Sequence, residues 1–312
     1  MSLPQLTSHR PYLSDGGLET SLVFQHGLDL PDFAAFPLLD SEPGRAALAA
    51  YYEPYLSLAG QLGVPLVLDT PTWRANLDWG ARLGYDAAGL AALNRTAVDF
   101  VQHLAMSGPD RPVEHVVDGV VGPRGDGYVI GETMSAPEAA AYHGLQARAF
   151  AAAGATMMTG VTMTYVDEAV GVTRAAGAVG LPVVISFTVE TNGALPSGQA
   201  LGDAIAEVDD TTDTAPAYYM VNCAHPTHFA ERLTPGASWL SRVKAIRANA
   251  SRCSHAELDA ATELDRGDVA DLTDWYGRLD SILPDLRVVG GCCGTDHEHV
   301  TAIAEALAGA RS

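Results

Sequence analysis

Along the chain, short apolar runs rich in Val, Ile and Tyr alternate with longer Ala- and Leu-rich stretches of helical period. The runs at 11–15 (PYLSD), 64–70 (VPLVLDT), 115–122 (HVVDGVVG) and 155–161 (ATMMTGV) read as strands. So do those at 182–189 (PVVISFTV), 217–222 (AYYMVN), 242–249 (RVKAIRAN) and 286–291 (LRVVGG). Several are apolar almost throughout, as strands covered on both faces are. Helical patterns lie between them at 46–62, 87–104 and 136–153. The last of these has Ser135 as an N-cap, Pro137 near the first helical position and Glu138 in the first turn. Beyond the final strand, Thr295 and Glu298 fit a capping box ahead of the apolar stripe Val300, Ile303, Ala304 and Leu307.

Eight strands alternating with helices predict a single (β/α)8 barrel domain spanning residues 1–312. The competing architecture, a doubly wound open sheet for a dinucleotide, would carry a glycine fingerprint after its first strand, and SDGGLET does not match one. A barrel places its chemistry at the C-terminal ends of its strands. Those ends read Asp15-Gly16-Gly17, Asp69-Thr70, Gly122-Pro123, Val161-Thr162, Glu190-Thr191, Asn222-Cys223, Asn249 and Cys292-Cys293.

Three of the four cysteines therefore fall on one rim, after strands six and eight. Adjacent strand residues point to opposite faces, so aiming both Cys292 and Cys293 at one target calls for the glycines around them. Three converging thiolates suit Zn²⁺ and leave one tetrahedral position open for a substrate sulfur. An alternative reading of the adjacent pair is a redox-active dithiol that needs neither Cys223 nor a metal. Cys253 reads as a small core residue. His225 and His228, close to Cys223, and His297 and His299, in the last helix start, are not required as ligands; of these, His225 is the nearest to a cysteine.

Charge narrows the partners. Asp and Glu number 38 against 18 Lys and Arg, a formal net charge of −20. That field repels nucleic-acid backbones and anionic membranes, so neither is an expected partner. Neither a long apolar run nor a signal-peptide pattern is present, and the expected compartment is the cytoplasm, where cysteines stay as thiols or metal ligands. No element reads as a dimerisation arm.

DGGLET at the first strand end, VNCAHP at the sixth and GGCCGT at the eighth together resemble the homocysteine S-methyltransferases, from about Leu13 to about Leu307. The resemblance implies zinc on Cys223, Cys292 and Cys293. It implies homocysteine as the thiol acceptor and an onium methyl donor, with S-methylmethionine or S-adenosylmethionine favoured. It also implies that Asp15, Gly16 and Gly17 contact the acceptor and that Asn222 and Thr295 orient the cysteines. Trp73 would face a cationic donor. One position departs from the family: Val161 stands where a glutamate commonly receives the amino group of homocysteine. Either Glu190 or Asp69 supplies the acid, or the acceptor is another thiol, or the chain only binds its ligands.

Overall fold

In the computed structural model, which describes residues 3–108, 111–112, 114–213, 215–283 and 285–310, eight parallel strands close into a barrel in sequence order. They are β1 (Tyr12–Leu13), β2 (Leu66–Asp69), β3 (His115–Val121), β4 (Met157–Met163), β5 (Val183–Phe187), β6 (Tyr218–Asn222), β7 (Val243–Ala248) and β8 (Val288–Gly291). Closure is made by β1 against β8, with Tyr12 opposite Val288 and Leu13 opposite Val289. Each expected strand is present, most trimmed at their ends, while β4 runs two residues beyond its expected end to Met163.

Strand residues alternate between two apolar environments, which explains their unbroken hydrophobicity. Tyr12, Val67, Val116, Met157, Val184, Tyr218 and Val288 point inward and pack together near the N-terminal end. Leu13, Leu68, Val117, Met158 and Ile185 point outward beneath the helices. Two residues further along, the inward positions turn polar: Asp69, Asp118 and Arg247 are buried inside the barrel.

The longer helices are α1 (Glu42–Leu62), α2 (Ala87–Met106), α3 (Ala136–Ala153), α4 (Val166–Gly177), α5 (Leu201–Thr211), α6 (Val269–Ile282) and α7 (His297–Ala310). Helix α1 starts earlier than its apolar pattern, because Ser41 accepts a hydrogen bond from the Gly44 N–H at 3.1 Å and fixes the first turn. The cap expected for α3 forms, with Glu138 reaching back to the Ser135 N–H at 2.9 Å. Burying an apolar side chain on such a helix contributes about 1.5–3 kcal/mol.

Two expectations change. The connection from β6 to β7 holds only a short helix, Pro226–Phe229, and two 3-10 turns. Pro235 and Gly236 in this stretch interrupt any longer helix. Helix α7 is capped by Asp296 rather than Thr295: its Oδ1 accepts from the Glu298 N–H at 3.1 Å. Thr295 instead donates to the Cys292 carbonyl at 2.7 Å. Among the described residues, no helix is long and apolar enough to cross a membrane.

Candidate active site at the C-terminal rim

Just past β6 and β8, the sulfurs of Cys223, Cys292 and Cys293 lie within 4.8 Å of one another. The Cys223 and Cys293 sulfurs are 3.9 Å apart. Tetrahedral coordination with Zn–S near 2.3 Å would separate sulfurs by roughly 3.8 Å, so the spacing fits that ion. Cys223 is buried and the other two are half-buried. His225 caps the short helix after β6, His228 bonds the Arg252 carbonyl and His299 holds Asp296. These three side chains are thus occupied elsewhere. Cys253 is half-exposed, not a core residue, because it sits in the loop beyond β7 with its thiol 3.9 Å from Asp265.

The backbone that aims the sulfurs is specific at two places. Cys292 to Thr295 form a tight turn, with the Thr295 N–H on the Cys292 carbonyl at 3.1 Å. Gly294, at the third position, has φ +80°, a conformation that favours glycine. Gly290 and Gly291 serve differently, by leaving room: a Cβ on them would overlap the hydroxyls of Ser14 and Thr295. Cys223 itself has φ +53°. Its carbonyl is fixed there by the Asn249 side chain at 3.0 Å and the His255 ring at 2.7 Å.

Asn222 ties the strands together below the sulfurs. Its Oδ1 accepts from the Thr162 N–H at 3.0 Å, and its Nδ2 donates to Thr162 Oγ1 at 2.8 Å and lies 3.8 Å from the Cys292 sulfur. Thr162 also has a left-handed backbone, φ +65°, at an irregularity in the β4–β5 pairing.

Arg247, inside the barrel, binds Asp15 and Asp69 together. It also donates to the Gly291 carbonyl at 3.0 Å and the Gly16 carbonyl at 3.3 Å. One guanidinium thereby joins the ends of β1, β2 and β8. Asp15 receives a further hydrogen bond from Tyr51 at 3.0 Å. Gly16 and Gly17 let the first loop pass close to the cysteine turn; a Cβ on Gly17 would stand 2.6 Å from the Cys292 carbonyl oxygen.

Crowding polarises the thiols. Hydrogen bonds from Cys223 and then Cys293, with Arg247 adding, hold the Cys292 thiol well below its usual range. The hydrogen bond to Cys292 pushes Cys223 well above it. Full ionisation of all three calls for a cation among them.

A cavity of about 380 Å³ opens above the sulfurs. Asp15, Gly16, Gly17, Asp69, Trp73, Val161 and Asn222 line it with the cysteines. Trp73 donates to the Val161 carbonyl at 3.3 Å. Glu190 does not line it and instead faces the His255 ring at 3.3 Å. Neither acid named in place of the missing glutamate is therefore free, since Asp69 is taken by Arg247.

Besides Arg247, three more polar cavity residues matter here that escaped the sequence reading. Tyr128, from the loop after β3, stacks on His255 at 4.0 Å and donates to the Cys293 sulfur at 3.5 Å. Glu19 and Arg74 also line the walls. A glycine-rich loop after β3 and the neighbours of the DGG and Trp73 positions were the available signals.

A family model for homocysteine S-methyltransferase matches residues 12–307. The chain belongs to the homocysteine S-methyltransferase family. It is thus an enzyme of a methyltransferase family whose barrel carries the three-cysteine rim just described. No curated protein matches at the sequence level. Among solved structures, the chain resembles the homocysteine methyltransferase MmuM from Escherichia coli. With its oxidised form the TM-score is 0.72 at 20% identity, covering 97% of this chain and 96% of that one. With its metallated form the TM-score is 0.72 at 18% identity, covering 96% and 97%. These likenesses establish the fold this homocysteine S-methyltransferase family member shares with MmuM.

Proposed function

We propose that the protein moves a methyl group from a small onium donor, S-methylmethionine or S-adenosylmethionine, to the thiol of homocysteine, giving methionine. The observation that carries this reading is the meeting of three sulfurs, from strand ends far apart in sequence, at the floor of a cavity large enough for small substrates. Zinc held by Cys223, Cys292 and Cys293 would supply the Lewis acid that keeps a substrate thiol deprotonated near neutral pH.

The chain's own residues do the rest. Asn222, Arg247 and the Cys292 turn fix the three sulfurs before substrate arrives, so little reorganisation accompanies binding. The acceptor sulfur donates an electron pair to the donor's methyl carbon as the bond from that carbon to the onium atom breaks, its pair staying on the leaving group. Charge disappears in this step when an onium meets a thiolate, so the apolar walls from Phe24, Phe33 and Trp73 favour it. Exposed acids at the mouth, Asp126, Asp259 and Glu263, attract a cationic donor. A reducing cytoplasm suits the free thiols.

The dithiol alternative gives no purpose to Cys223, whose left-handed backbone has its carbonyl held by two side chains while its sulfur lies among the other two. The test is a matrix of thiol acceptors against onium donors, read by mass spectrometry, with metal analysis on protein kept reduced. Methionine formation with about one zinc per chain supports the proposal. Zinc-free reduced protein, or zinc-loaded protein that makes no methionine from any donor, would sink it.

A further inference from the structure

The cavity's charged groups divide into spent and unspent. Asp15, Asp69 and Arg247 satisfy one another. Asp126, Asp259, Glu263 and Asp265 are exposed at the mouth. That leaves two side chains deeper in the walls. Glu19, half-buried in the loop after β1, forms no ion pair among the described residues. Burial foremost, with Cys292 and Asp15 nearby, lifts its carboxyl to about 7 although the Arg74 charge across the cavity pulls the other way, so a cation in contact with it would be welcome.

Arg74 is the opposite case. Its side chain is only 10% exposed, sandwiched between Trp73 at 4.7 Å and Trp79 at 3.8 Å. Its Nε and Nη1 are buried without any acceptor. The nearest acid, Asp126, stands 3.9 Å from Nη2 at the solvent edge. A buried guanidinium short of acceptors is costly unless a ligand completes it, and planar carboxylates match it best.

We propose that Glu19 and Arg74 form the ammonium and carboxylate handles for the amino-acid thiol, with Glu19 replacing the acid that Val161 lacks. The inference rests on the proposed methyl transfer to homocysteine. It assigns two residues that determine specificity, from a cavity whose other charges are already paired or exposed. A thiol at the sulfur cluster carries its amino group on a short carbon chain, and Glu19 shares the first loop with Gly17, which abuts Cys292. The acceptor is thereby restricted to α-amino-acid thiols.

Zinc-loaded wild type, Glu19→Gln and Arg74→Met are compared on three acceptors: homocysteine, mercaptobutyrate (which lacks its amino group) and mercaptopropylamine (which lacks its carboxylate). Each substitution raises the KM for homocysteine roughly 10- to 100-fold with little change in kcat. Glu19→Gln has no effect on mercaptobutyrate, and Arg74→Met has none on mercaptopropylamine. Equal losses on all three acceptors, an unchanged KM for homocysteine, or an effect confined to the donor KM would overturn the assignment. Melting temperature shows that the variants are folded. Calorimetric binding of homocysteine to the same proteins gives a readout independent of turnover. Wild type that binds homocysteine through both handles yet transfers no methyl group would overturn the function and leave the handles standing.

Discussion

The two ends of this barrel are built from the same eight strands and obey opposite rules. At the N-terminal end, inward residues such as Tyr12, Val67, Met157 and Tyr218 fill space with apolar volume. At the C-terminal end, the inward positions hold sulfurs, amides and charges, and two non-glycine residues, Thr162 and Cys223, take left-handed backbone angles. Between them lies a polar layer, Asp69, Asp118 and Arg247, belonging to neither regime. The difference separates what holds the fold from what aims the chemistry, and it can be attacked layer by layer.

The largest effect belongs to the rim. Cys223→Ala, Cys292→Ala or Cys293→Ala each abolishes methyl transfer and drops zinc from about one per chain toward zero, read by metal analysis. The zinc-free melting temperature of these variants stays near that of zinc-free wild type, because the three cysteines lie outside both apolar clusters of the barrel. Arg247→Met, in the middle layer, strikes both properties. It strands Asp15 and Asp69 as buried charges, and denaturant unfolding shows a loss of about 3–5 kcal/mol along with weakened activity.

Met157→Ala, in the lower layer, costs about 2–5 kcal/mol by the same measurement but leaves kcat/KM as it was. A change in kcat/KM here would break the separation of layers. The subtlest test is Asp118→Asn. Burial raises the Asp118 carboxyl from 3.8 to about 7. Between those values the unfolded chain releases a proton that the folded one keeps, so wild-type stability falls as pH rises across that window. The variant's melting temperature lacks this decline.

How much of this was readable in the residues follows the same division. The lower layer and the outward faces were legible because strand period and apolar composition report burial directly. The three cysteines were legible because the strand ends of a barrel share one rim. Arg247 was not: within RVKAIRAN it is one more charged residue, and its meaning depends on Asp15 and Asp69, contributed by β1 and β2. Glu19 and Tyr128 escaped for a similar reason, since loops aim side chains by contacts distant in sequence. The helix cap was misplaced by one residue because Thr295 had a stronger claim on it, the Cys292 carbonyl in the turn. Gly290, Gly291 and Gly294 looked alike, yet only the last needs its positive φ.

Two of the three sulfurs follow β8, the last strand to leave the ribosome, while Cys223 precedes Cys293 by 70 residues. A growing chain therefore displays one isolated thiol of this set for most of its synthesis. The three sulfurs come together only when β8 docks between β7 and β1, so zinc held there as proposed would favour closure of the barrel and add to its stability.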